Sequence, residues 1–167
     1  VALRRRPRWI ARQVLKRSVH RAQAVVVPSA FTAEELRATL GNLLPPIKVV
    51  PGGIDPALLS LTPTAPRGRP YFLHVGHLEP RKNLLMLLSA YARFVEDAAG
   101  DADALPALVL VGRDAGAEQM LRERAALLEL VPHLHFEGVV PESHLRALYA
   151  GATAVLVPSS YEGYGLP

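Results

Sequence analysis

The chain of 167 residues contains no cysteine, which excludes a disulfide scaffold, a thiolate-bound metal and a cysteine nucleophile. Its apolar runs, such as Ala24–Val27 and Leu84–Leu88, fall far short of the roughly 20 residues that a membrane-spanning helix needs. With no signal-peptide pattern at its start, it reads as a soluble, cytoplasmic protein. The G-x-G-x-x-G dinucleotide fingerprint, internal repeats and low-complexity tracts are all lacking. The six histidines do not gather with carboxylates, so neither a metal nor a resident cofactor is expected. Asp101-x-Asp103 resembles a metal motif, but it falls between a helix end and a strand start, away from the carboxyl ends of strands where parallel-sheet chemistry collects.

Acidic residues are also missing from the first 33 positions, and this unmasks an uneven charge. Arg4, Arg5, Arg6, Arg8, Arg12, Lys16, Arg17 and Arg21 precede the first acidic residue, Glu34, so the remainder carries 11 basic against 15 acidic residues. The net charge of +4 is therefore a basic arm on a mildly acidic body. Such an arm serves a nucleic acid, an anionic membrane surface or a plain solvated helix face.

What is present alternates between strand and helix patterns. Arg8–Arg21 fits a helix with Trp9, Ile10, Val14 and Leu15 on one side. Ala24–Val27 reads as a strand stopped by Pro28, and Ser29 or Thr32 can cap the next helix, with Thr32-x-x-Glu35 spaced as a capping box. Gly41 closes that helix, and Ile47–Val50 is a strand ended by Pro51-Gly52-Gly53. Residues 56–70 hold prolines at 56, 63, 66 and 70 and read as a linker between residues 1–55 and 71–167. Beyond it come strand 71–75, helix 83–95, strand 107–111, helix 117–130, strand 134–136, helix 142–150 and strand 154–157. Leu84, Leu87, Leu88 and Tyr91 recur at helical spacing as one buried stripe. This order implies an α/β fold of Rossmann-like βαβ units on a parallel sheet.

Three strand-to-helix junctions carry distinctive chemistry. Gly76-His77-Leu78-Glu79-Pro80-Arg81-Lys82-Asn83 sets two cations before a helix that Asn83 can cap, which suits a phosphate. Gly112-Arg113-Asp114-Ala115-Gly116 is a weaker candidate. Pro158-Ser159-Ser160-Tyr161-Glu162-Gly163-Tyr164-Gly165-Leu166-Pro167 joins glycines, a carboxylate and two tyrosines that can flank a ring. In the common doubly wound order, the strands ending near Val75 and Val157 are neighbours at the switch point, bringing Arg81, Lys82 and Glu162 to one crevice with the Gly163 and Gly165 amides.

The strings Val26-Val27-Pro28-Ser29, Lys48-Val49-Val50-Pro51-Gly52-Gly53-Ile54-Asp55, Leu73-His74-Val75-Gly76-His77-Leu78-Glu79-Pro80-Arg81-Lys82-Asn83 and the Pro158–Pro167 segment together resemble the retaining nucleotide-sugar glycosyltransferases of the group-1, or family 4, type. The likeness runs from about residue 22 to the end. It implies the GT-B fold of two Rossmann-like domains, residues 1–55 being a remnant of the acceptor-side domain and 71–167 an incomplete donor-binding domain. By resemblance, Lys82 neutralises the donor diphosphate with Arg81 as helper, beside Gly76 and His77. The arginine often found at the His77 position is absent. Glu162 matches the first glutamate of an E-x7-E motif that contacts the transferred sugar; Ser159, Tyr161, Gly163, Tyr164, Gly165 and Leu166 accompany it. Val139 and Val140 fall where the nucleobase is read, and Gly52 and Gly53 edge the cleft.

The reaction so implied is transfer of a hexose, such as mannose or glucose, from a nucleoside-diphosphate sugar to a hydroxyl acceptor with retention of configuration, as in polysaccharide or glycolipid biosynthesis. Lys82, Arg81 and Glu162 are the catalytic candidates. No metal or cofactor is implied beyond the donor itself, and retention by front-face attack needs no protein nucleophile. The acceptor is lipid- or polysaccharide-linked in this reading, with peripheral contact at the inner face of the membrane and no nucleic acid. The second glutamate of the motif would fall three residues past the end, so the chain is expected to be a fragment with weak donor binding and no useful turnover. The alternatives are another GT-B-type sugar-phosphate enzyme, a nucleotide-sugar epimerase, or a nucleic-acid-binding module using the basic arm.

Overall fold

The computed structural model describes residues 8–41, 44–56, 68–98 and 105–165. It divides into two units, one reaching to Gly53 and including the segment from Gly163, the other spanning Ile54–Glu162. Residues 57–67 of the expected linker, Arg4–Arg6 of the arm and the Asp101/Asp103 pair lie outside the described residues.

In the first unit, α1 (Arg8–Arg21) precedes β1 (Val25–Val27), α2 (Ala30–Leu40) and β2 (Ile47–Val49). The two strands pair in parallel, Val25 with Ile47 and Val27 with Val49, so α2 is the crossover of a βαβ unit. Ser29 is the cap of α2: its side chain accepts a hydrogen bond from the Thr32 N–H, and the Gly41 N–H closes the other end on the Arg37 carbonyl. Thr32 lies inside the first turn, so the Thr32–Glu35 capping box does not form at the helix start. The apolar face expected on α1 also differs. Trp9, Val14 and Leu15 are exposed, whereas Val19 is buried. At about 100° per residue Trp9 and Val14 point some 140° apart, so no single stripe contains both.

The second unit carries a four-stranded parallel sheet in the order β5-β4-β3-β6. Its elements are β3 (Tyr71–Val75), α3 (Leu84–Asp97), β4 (Ala107–Val111), α4 (Glu118–Leu127), β5 (Leu134–Gly138), α5 (Glu142–Gly151) and β6 (Ala154–Val155). Side chains alternate across the sheet. Phe72, Leu108, Leu110 and Leu134 pack with Leu84, Leu87, Leu88 and Tyr91 of α3 and Leu121 and Ala125 of α4. Leu73, Val109 and Val111 face the other way, toward Leu145, Leu148 and Tyr149 of α5. Each fully buried leucine of the α3 stripe contributes about 1.5–3 kcal/mol of hydrophobic stabilisation.

The strand ends explain where the pattern and the structure part. β6 stops after two residues, short of Val157. Leu156 N–H still reaches the Leu73 carbonyl, but the Leu156 carbonyl takes the His74 imidazole at 2.9 Å, and Pro158 has no N–H to offer. β5 runs on past Phe136 to Gly138 through a bulge that pairs Leu110 with Phe136 and Val111 with Gly138. Helix α4 stops at Leu127, before the expected Leu130.

Candidate active site

The carboxyl ends of β3 and β6 lie side by side, with Phe72 opposite Ala154 and Leu73 opposite Val155. Neighbouring strands whose connections leave in different directions make the crevice where ligands of doubly wound sheets bind. After β3 the chain crosses Gly76 and His77 and tightens into a 3₁₀ turn at Pro80–Lys82, before Asn83 adopts a left-handed conformation and α3 begins.

That turn is stitched to the segment after β6. Ser160 N–H and its hydroxyl both donate to the Arg81 carbonyl at 3.1 Å, Arg81 Nη1 donates to the Tyr161 carbonyl at 2.8 Å, and Asn83 Nδ2 donates to the Pro158 carbonyl at 3.3 Å. Asn83 thus stands at the cap position of α3 but spends its side chain on Pro158, so no side chain caps that helix. Its amino-terminal N–H groups therefore receive no side-chain cap.

Lys82 and Glu162 meet at the centre, Lys82 Nζ donating to Glu162 Oε1 at 2.6 Å. Lys82 is only 7% exposed. Arg81 bridges the other Glu162 oxygen at 3.1 Å and Glu79 at 2.7 Å, and remains largely exposed. The Glu162 carboxyl is pulled down to about 2, chiefly by the Lys82 ammonium; partial burial opposes this, and Ser159 and Arg81 add to it. The Ser159 hydroxyl does so from outside ordinary hydrogen-bond geometry, since it is buried without a hydrogen-bond partner among the described residues. In these four side chains the two cations are matched by two carboxylates.

His74 was not singled out by the sequence, although a polar residue inside the apolar run Tyr71–Val75 is a visible signal. It is 1% exposed, with Nδ1 on the Leu156 carbonyl and Nε2 unpartnered among the described residues. Its basicity is lowered, first by burial and further by Lys82, against the opposing Leu156 carbonyl.

Gly76 and Gly112 form a backbone crossing beside this cluster. A Cβ on Gly112 would sit 2.0 Å from the Gly76 carbonyl oxygen, so only glycine fits there. Gly76 N–H donates to the Val111 carbonyl and Gly112 N–H to that of Gly138, linking three strand ends.

The Gly112–Gly116 junction has a different answer. Asp114 Oδ1 accepts from the N–H groups of Gly116, Ala117 and Glu118 at 2.9, 3.0 and 3.0 Å, and these bonds hold its carboxyl below the usual carboxylate range. The chain's own carboxylate therefore fills the anion seat at α4.

The remaining expected residues are spread over both units. His77 is exposed, Val139 is 77% exposed just after the β5 bulge, and Val140 packs against Leu73, Val109 and Val111. Tyr161 is exposed beside Arg81. In the first unit the Gly163 carbonyl accepts from the Thr32 hydroxyl at 2.9 Å and from Ser29, and the Tyr164 hydroxyl donates to the Gly52 carbonyl at 3.1 Å. Gly53 stands in open space, Gly165 has φ of 79°, and Leu166 lies outside the described residues. Among the described residues no three His, Asp or Glu side chains gather as a metal site.

Comparison with known proteins agrees with the fold. The model of the glycosyl transferases group 1 matches residues 62–167, and that of glycosyltransferase family 4 matches residues 1–58. The chain belongs to the group 1 glycosyltransferases. It is 33% identical over 97 residues to the O-antigen chain mannosyltransferase B of Escherichia coli, covering 58% of this chain and 24% of that protein. The sucrose-phosphate synthase of Thermosynechococcus elongatus superposes on 99% of this chain and 42% of its own, with a TM-score of 0.77 and 23% identity. Anabaena HepE, solved with UDP and glucose, does so on 93% and 44%, with a TM-score of 0.75 and 21% identity. These structures are GT-B folds, and this chain spans less than half the length of each.

Proposed function

We propose that the full-length protein transfers a hexose, mannose or glucose, from a nucleoside-diphosphate sugar to a hydroxyl acceptor, with retention of configuration. The observation that carries this reading is the buried Lys82 ammonium held against Glu162 at adjacent parallel strand ends, in front of an uncapped helix terminus. A diphosphate satisfies both cations and the α3 N–H groups. Glu162, once released, is free to accept hydrogen bonds from sugar hydroxyls.

As the anomeric C–O bond breaks, negative charge grows on the leaving diphosphate. A preorganised ammonium away from bulk water stabilises that charge more than the ground state. The acceptor hydroxyl attacks the same face and gives its proton to a leaving phosphate oxygen, so retention requires no protein nucleophile. Lys82, Arg81 and the α3 terminus supply the counter-charge that a metal supplies elsewhere. The names of the relatives run the same way, toward a mannosyltransferase and a protein that holds UDP and glucose.

The acceptor in this reading is lipid- or polysaccharide-linked, and the protein works in the cytoplasm. The exposed cations Arg12, Lys16, Arg17 and Arg21 of α1, rather than an apolar stripe, are in this reading what meets the anionic inner face of a membrane. No helix among the described residues is long and apolar enough to cross one.

The test is a thermal-shift panel of UDP-, GDP- and ADP-sugars on the full-length protein, with and without EDTA. One donor should raise the unfolding temperature by mass action and do so with EDTA present. Lys82→Ala should abolish that shift, and an unchanged shift in the variant would remove the diphosphate site.

A further inference from the structure

Two atoms of the site remain unexplained by the ion pair, and one of them has a defined chemical state. His74 Nδ1 lies 2.9 Å from the Leu156 carbonyl, which can only accept, so Nδ1 carries the hydrogen. A neutral ring then presents Nε2 as a bare lone pair. Burial, with a smaller part from the Lys82 charge, disfavours protonating it and outweighs the opposing Leu156 carbonyl and Glu162 carboxylate. Nε2 is fully buried with no partner among the described residues, and native proteins seldom leave a buried acceptor unused.

The end of the Lys82 side chain lies close to that nitrogen. A Cβ built on Gly76 would lie 3.3 Å from His74 Nε2, 3.2 Å from Lys82 Cε and 3.4 Å from Lys82 Nζ. One point thus touches an idle acceptor and an ammonium with three hydrogens, of which Glu162 takes one. The missing side chain at Gly76 leaves room for the lysine end to swing between them.

We infer that His74 is a positioning residue whose Nε2 receives the Lys82 ammonium when Glu162 lets go of it. Its use in catalysis rests on the nucleotide-sugar reading; the exchange of partners does not. When a sugar occupies Glu162, Lys82 keeps one hydrogen bond to a fixed neutral acceptor and points its remaining N–H groups at the phosphates. A carboxylate in the place of His74 would cancel the charge that the phosphate needs. An imidazole holds the ammonium without neutralising it.

The experiment is ¹⁵N NMR of the full-length protein labelled at histidine. In the ligand-free wild type the His74 Nε2 resonance should stand at the position of an unbonded lone pair. Glu162→Met should move it toward that of a hydrogen-bonded acceptor, and Glu162→Met with Lys82→Met should return it. UDP, GDP or ADP, whichever the wild type binds, should move it in the same direction. His74→Asn keeps an N–H for Leu156 and removes the ε acceptor; it should weaken that nucleotide about tenfold, as for one hydrogen bond to a charged group. His74→Gln should restore binding. An Nε2 resonance that does not respond to Glu162→Met, or undiminished nucleotide affinity in a folded His74→Asn, overturns the inference and leaves the nucleotide-sugar reading standing. Failure of all three nucleotides to bind, with the Glu162→Met response intact, overturns that reading alone.

Discussion

Lys82 and Glu162, 80 residues apart in the chain, join their side chains at 2.6 Å where β3 and β6 end. The ammonium is the main reason that the glutamate is so acidic. Lys82→Met should therefore bring the Glu162 carboxyl from about 2 back toward its ordinary value of 4.5, read by ¹³C NMR of labelled glutamate. In the full-length enzyme the same variant should lower kcat about 100-fold or more, as removal of one preorganised charge partner does elsewhere.

The same acidity makes stability depend on pH. A carboxyl depressed in the folded state stabilises the fold above its unfolded value of 4.5, and this stabilisation is lost as pH falls toward about 2. Its full size is at most roughly 3 kcal/mol for a shift of this extent, and smaller where solvent screens the carboxylate. Urea unfolding of wild type and Glu162→Gln should differ most at neutral pH and converge below about pH 2; parallel pH profiles would show that Glu162 is not the group responsible.

Gly112 admits no side chain. Its Cβ would meet a backbone oxygen, which cannot rotate away, at 2.0 Å, so Gly112→Ala should cost about 3 kcal/mol or more and lower the denaturation midpoint accordingly. Gly151→Ala should cost less, since its Cβ would meet only the Tyr71 hydroxyl at 2.9 Å, the far end of a side chain. Equal losses would mean that the backbone crossing relaxes.

Ser29 and Thr32 hold the start of α2 and the Gly163 carbonyl together. Ser29→Ala removes the cap as well as one donor and should cost about 1 kcal/mol, whereas Thr32→Val removes the donor to Gly163 and an acceptor for the Ser29 hydroxyl but leaves the cap. Amide exchange should speed up at the first turn of α2 in the serine variant and stay near wild type there in the threonine variant.

The sequence shows the elements that burial dictates. Tyr71–Val75 and Ala107–Val111 are apolar runs with helical patterns between them, and both strands span the expected residues. The Leu84, Leu87, Leu88 and Tyr91 stripe is buried as its spacing requires. What depends on contacts distant in the chain was not legible. The end of β6 is set by the His74 imidazole, and Asn83 is drawn from its capping role by the Pro158 carbonyl. Arg81 reads as a phosphate cation but also fastens Tyr161 and Ser160 to its own turn. Asp114 could have been found, because an aspartate a few residues before a helical pattern is a cap signal in its own right.

That aspartate has a further consequence. By filling the terminus of α4 with an internal anion, the protein leaves adjacent strand ends unlike: one helix start closed by Asp114, the other without a side-chain cap beside two paired cations. An elongated ligand charged at only one end then has one energetically favoured way round. In the proposed donor-binding reading, the sidedness of recognition then rests on a helix cap that need never touch the ligand.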